Sequence, residues 1–147
     1  MSIKLLTTGL ITSVLMIQPA IANDVLDERE QRMKTLGKEV KTMASMVKGR
    51  SDFDADQFVS GAWNMSDAME GMLDLFPAGS HGGDSAAKAK IWDNWEDFVA
   101  KYQAAVEATD NLADAADEGD ETTIKKAFGK VGKSCSSCHR QYRIKRD

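Results

Sequence analysis

The chain has 147 residues, 42% of them hydrophobic and 29% charged, with nineteen basic against twenty-three acidic side chains and a formal net charge of −4. That length allows one domain with a real core and is short for two of ordinary size. An acidic balance gives no general attraction to nucleic acid, and two cysteines are too few for a disulfide-built scaffold.

The first segment reads as an export leader. Lys4 supplies a small positive region, Leu5 through Ile17 carries no charge, and Pro19 precedes Ala20-Ile21-Ala22, an A-x-A cleavage pattern. The apolar stretch is short for a membrane span. Residues 1–22 are therefore expected to be a cleaved signal peptide, not an anchor, and residues 23–147 the mature domain, periplasmic and without a membrane span. That domain has eighteen basic and twenty-three acidic residues.

Four amphipathic helices follow. Helix one carries Leu26, Arg29, Met33, Leu36, Val40, Met43 and Val47 at steps of three and four, and breaks at Gly49-Arg50-Ser51. Helix two, capped at Asp54, repeats the rhythm with Ala55, Phe58, Ala62, Met65, Met69, Met72 and Phe76 until Pro77 ends it. A turn-rich loop, Ala78-Gly79-Ser80-His81-Gly82-Gly83-Asp84, precedes helix three, which runs from about Lys88 with Trp92, Trp95, Phe98 or Val99, Tyr102 and Val106 to the region of Ala116, where Gly119 stops it. Helix four, capped at Asp120 or Thr122, turns inward Ile124, Phe128, Val131, Cys135, Cys138 and Tyr142. Long helices with such spacing and short connections predict an all-α fold, an antiparallel up-down-up-down four-helix bundle.

The last helix carries Cys135-Ser136-Ser137-Cys138-His139, a C-x-x-C-H string that reads as attachment of c-type haem. At about 100° per residue, Cys138 and His139 lie about 60° and 40° to either side of Cys135. One turn can thus offer both thiols and an axial imidazole to a single porphyrin. Two other readings compete. A thiol-disulfide pair expects a βαβ context, and no strand-like alternation surrounds Cys135. Structural zinc wants four ligands, and the only other histidine, His81, sits in the glycine-rich loop. Because the cysteines face inward, haem is expected in the bundle core. Gly129 and Gly132, each costing the helix about 1 kcal/mol relative to Ala, fit either a close porphyrin or a tolerant surface. From Lys125 to Arg146 there are eight basic residues and no acid, a solvated face or a docking patch.

Arg29 with Met33, Leu75-Phe76-Pro77 with the Gly79-Ser80-His81-Gly82-Gly83 loop, Ile91-Trp92, and Ala127-Phe128-Gly129-Lys130-Val131-Gly132-Lys133 running into the C-x-x-C-H string and Tyr142-Arg143 occur in one order over nearly the whole mature chain. In this the chain resembles the cytochrome c prime family. The resemblance implies one covalently bound haem c held by Cys135 and Cys138, with His139 as the proximal iron ligand and Arg143 near that imidazole. It also places Arg29 close to a haem propionate. A buried arginine on an apolar stripe independently wants such a partner, although snorkelling is open to it. Glu30 stands where the family usually has glutamine, Ser80 where threonine is common and His81 where an acid is common; all three fall at cofactor-binding positions.

Most of the family covers the distal iron face with an apolar side chain, leaving five-coordinate iron that binds nitric oxide or carbon monoxide. A low-spin branch uses a methionine there as sixth ligand. Met33 occupies this position and suits both roles, and the other core methionines show that filling space is reason enough for one. The expectation is a periplasmic monohaem cytochrome, not an enzyme, that transfers electrons with redox partner proteins and admits nitric oxide or carbon monoxide. The alternatives are a six-coordinate carrier ligated by Met33, or an exported CxxC thiol-disulfide oxidoreductase. Pairing as a homodimer is common in the family and is a further expectation.

Overall fold

Five α-helices and one 3-10 turn make up most of the described chain: α1 (Pro19–Val47), α2 (Ala55–Met69), the turn Met72–Leu75, α3 (Lys90–Asp93), α4 (Trp95–Glu118) and α5 (Glu121–Tyr142). The computed structural model describes the backbone of residues 19–145 and the side chains of 24–145. The first eighteen residues, most of the expected leader, lie outside that range. Among the described residues there is no strand beyond an isolated bridge between Ala87 and Arg143. The long helices α1, α2, α4 and α5 form the expected all-α, up-down-up-down bundle.

Local chemistry sets the helix ends. The Asp54 carboxylate accepts from the Gln57 N–H at 2.9 Å and starts α2. Gly119, in the left-handed region at φ 76°, closes α4, and Asp120 opens α5 by accepting from the Thr123 N–H at 2.7 Å. Two residues thereby reverse the chain, which forces α4 and α5 to lie antiparallel.

Two helices expected to be continuous are broken. Helix two was expected to reach Phe76, yet α2 ends at Met69: Glu70 is extended, Gly71 turns at φ 63°, and the chain resumes as the 3-10 turn. The carbonyls freed there are taken up by other helices. Tyr102 Oη donates to Met69 O at 2.7 Å, and Arg32 donates to Glu70 O. In the expected helix three, Asn94 (φ −134°, ψ 46°) separates α3 from α4 and resets the helical phase. Phe98 consequently turns into the core, while Trp95 remains 38% exposed and stacks on it at 5.6 Å.

The core is filled by Leu36, Met43 and Met46 of α1, Phe58, Ala62, Met65 and Met69 of α2, Phe98, Ala105, Leu112 and Ala113 of α4, and Ile124 and Val131 of α5. Alanines along α4 let its neighbours approach closely. α5 packs on α4, α4 on α2 and α2 on α1, whereas α1 and α5 share no contact on that scale.

Candidate functional site

The C-x-x-C-H turn sits in the second half of α5, where Cys135, Cys138 and His139 are all half-buried on one face. Both sulfurs pack against the hydrophobic core as free thiols. Burial pushes both thiols up from the ordinary cysteine value. Thiol-disulfide exchange needs the thiolate, so this environment opposes the oxidoreductase alternative. Burial, and then the Arg143 guanidinium, hold the His139 imidazole below the ordinary histidine value. It is accordingly neutral near pH 7, with a lone pair available to a metal.

The end of α5 is pinned on two sides. Tyr142, 2% exposed, donates through Oη to Asp97 Oδ2 at 2.5 Å, and Gln141 Nε2 donates to the same carboxylate oxygen at 3.0 Å. The tyrosine hydroxyl is pushed up to about 12 by burial and by that carboxylate, whose own value is held down chiefly by the hydrogen bond from Tyr142. On the other side the glycine-rich loop is tied to the helix end: Lys88 N donates to Tyr142 O at 2.9 Å and Ile144 N to Ala86 O at 2.8 Å.

That same loop receives Arg29 from α1. Arg29 is 6% exposed, and its guanidinium donates through Nη1 to Leu75 O and Ser80 Oγ, both at 3.2 Å, and through Nη2 to Ser80 O at 2.9 Å and Ser85 Oγ at 2.7 Å. Its Cζ lies 4.5 Å from the Phe76 ring centroid. All four acceptors are neutral, and burial lowers the arginine below its ordinary value. A buried cation among neutral acceptors favours an anion, which is the chemistry of a propionate.

The structure thus gathers Arg29 with Ser80 and, through the loop, links them to the end of α5. Met33 lies one turn beyond Arg29, half-buried against the core. Glu30 is exposed and lies 2.9 Å from Lys34. His81 is exposed and its ring lies tilted against Trp92, the centroids 5.0 Å apart. Sequence reasoning missed Ser85, Phe76 as a cation-π platform, and the Asp97–Tyr142 pair. Only the last had a signal, an acid in the first turn of the neighbouring helix.

The Cytochrome C' family model matches residues 24–143. The chain belongs to this family. Its cofactor is one covalently attached haem c, and the donor set fits it: two adjacent thiols, a neutral imidazole and a buried cation. Cytochrome c-556 of Agrobacterium tumefaciens is 35% identical over 122 residues, covering 82% of this chain and 98% of that protein. Among solved structures, cytochrome c prime from Shewanella frigidimarina is similar at TM-score 0.81 and 35% identity, over 84% of this chain and 97% of the other. The nitric oxide complex of a mutant cytochrome c prime from Alcaligenes xylosoxidans is similar at TM-score 0.78 and 30% identity, over 85% and 97%.

Proposed function

We propose that the protein is an exported, periplasmic monohaem cytochrome that exchanges electrons with redox partner proteins and admits nitric oxide or carbon monoxide at its distal face. The observation that carries this reading is the single half-buried face of α5 presenting Cys135, Cys138 and a neutral His139. Haem held here would supply a one-electron iron couple that can also bind a diatomic gas. Cys135 and Cys138 hold it covalently, and His139 supplies the proximal nitrogen. Arg29 would neutralise a propionate, with Ser80 and Ser85 orienting its guanidinium. Asp97 and Tyr142 fix the turn on which the ligands stand. Cleavage after Ala22 would leave α1 from Asn23 onward, and with it the whole Arg29 cluster.

A second reading is favoured by Met33, which lies against the core on the stripe of Arg29 and in a chain similar to a cytochrome c-556. In it the Met33 sulfur is the sixth ligand and the protein is a simple electron carrier. We favour the occluding role, in which Met33 covers the distal face without ligation.

Two measurements test these readings. Haem that stays on the polypeptide through acid extraction supports attachment, and two titratable thiols in exported protein would refute it. Ferrous wild type is expected to be high-spin and to bind carbon monoxide, faster in Met33→Ala. A low-spin wild type turned high-spin by Met33→Ala selects the second reading.

A further inference from the structure

Outside the site, α5 carries a line of uncompensated cations. Lys126, Lys130, Lys133 and Arg140 are all exposed. At about 100° per residue they project within about 40° of the direction opposite Cys135, forming one ridge along the back of the attachment helix. None makes an ion pair or a side-chain hydrogen bond among the described residues. Elsewhere Arg32 pairs with Glu28, Lys34 with Glu30, Lys101 with Asp97 and Lys125 with Glu121. The adjoining α4 carries seven acids and a single lysine, yet it does not neutralise the ridge. Its Asp110 accepts from Ser66 Oγ at 2.6 Å and its Asp117 from Trp63 Nε1 at 3.2 Å, both toward α2.

We propose that this ridge of α5 is the docking surface for an acidic redox partner protein, seated on the helix that carries the haem. The proposal rests on the electron-carrier reading above. Charge complementarity speeds encounter and orients it, and this ridge aims a partner at the attachment helix. Beside the ridge, on the His139 side, Gly129, Gly132 and Ser136 are exposed, and a Cβ added at either glycine meets nothing within 4 Å. A partner surface can therefore come down onto the helix backbone and shorten the path to the iron. An anionic membrane is the poorer occupant: the ridge residues are interleaved with glycine and serine, with no large apolar side chain to insert. Another group of exposed cations, Lys38, Lys41 and Arg50 on and just beyond α1, is remote from the attachment turn in sequence, and its Lys38 lies 4.0 Å from Glu39.

The test uses the intact holoprotein and an acidic flavodoxin as the electron-transfer probe, by stopped flow at low and at physiological ionic strength. Two triple variants carry the same change in net charge: Lys126→Glu, Lys130→Glu, Lys133→Glu on the ridge, and Lys38→Glu, Lys41→Glu, Arg50→Glu on the other cluster. The ridge variant is expected to lose about tenfold or more of the bimolecular rate at low salt, together with most of the salt dependence, within the range of electrostatic steering. The second variant should lose no more than about threefold, as a change in net charge alone would do. Equal losses, no loss in the ridge variant, or no reaction of wild type with the flavodoxin overturns the proposal. So does binding to phosphatidylglycerol vesicles that the ridge variant abolishes. Reduction by dithionite, followed in the visible spectrum, separates the two levels: if dithionite fails to reduce wild type, the carrier reading itself fails.

Discussion

Where α2 meets α4 the chain seals itself. Phe58, Ala62, Met65, Leu112 and Ala113 have no exposed surface, and side-chain bonds stitch the helices together: Trp63 to Asp117, Ser66 to Asp110, Tyr102 to Met69. Only part of what α1 and α5 offer is sealed in the same way: Met43, Ile124 and Val131 are buried, but the residues nearer the attachment turn are not. Met33, Phe128, Cys135 and Cys138 are only half-buried, no hydrogen bond among the described residues joins these two helices, and the link between them runs through the loop that receives Arg29 and pairs with Arg143. The two halves divide the work of a bundle. One provides cooperative packing from side chains alone, and the other arranges ligands and a cation around a face that a flat, partly charged cofactor can cover.

The sharpest test of that division truncates one side chain in each half. Leu112→Ala removes a fully buried side chain from the sealed seam and should cost about 3 kcal/mol in a denaturant titration of the holoprotein. Met33→Ala, in the open seam, should cost about 1 kcal/mol while changing gas binding. Equal costs would erase the distinction. Next in size is Arg29→Ala, expected to destabilise by about 2 kcal/mol through loss of its charged hydrogen bonds. It should also lower the reduction potential, because the oxidised iron is the more positive state. An unchanged potential in low salt would separate Arg29 from the cofactor.

In the sealed half the buried face of α2 was readable from the sequence, whereas that of α4 was not: its expected stripe took in Trp95, which is exposed, and left out Leu112 and Ala113. Steps of three and four placed Phe58, Ala62 and Met65 of α2 inward, and Val131 of α5 with them, since that spacing reports which face of a helix is buried. It does not report whether the backbone hydrogen bonds continue. The rhythm of Met69, Met72 and Phe76 runs unbroken across Gly71, where the helix stops. The C-x-x-C-H string was legible because its chemistry is local, confined to one turn. The partners of Arg29 lie 46 to 56 residues away, and nothing in the spacing of Leu75, Ser80 and Ser85 announces a common donor. Glu39 was missed for the same reason: it is 8% exposed because α2 places Gly61 opposite it, with Asn64 Nδ2 at 3.5 Å.

A smaller effect is expected where the two halves meet, at Tyr142. Tyr142→Phe deletes the bond to Asp97 and should cost about 1 kcal/mol. The pH dependence carries the signature. The hydroxyl is raised from near 10 to about 12 in the folded chain, so its contribution is complete below pH 10 and is lost as pH rises toward 12. Asp97 is lowered, so its contribution is present above the ordinary aspartate value and disappears as pH falls through its folded value. Both slopes should flatten in Tyr142→Phe. Unchanged alkaline and acid limbs would show that the pair does not anchor the attachment turn.

The smallest effect has the opposite sign. Gly129 lies within α5, is exposed, and would offer an added methyl group open space. Glycine in a helix interior costs up to about 1 kcal/mol relative to alanine, so Gly129→Ala should raise stability by up to that amount and leave the visible spectrum unchanged. A porphyrin packed against this turn predicts the reverse, a methyl clash that lowers stability and shifts the haem bands. Because Gly129 stands about 120° around the helix from Cys135, on the flank away from the thiols, a stabilised protein with an unshifted spectrum would keep the cofactor on the thiol side of α5. A destabilised one would move the boundary of the open half around the helix toward solvent.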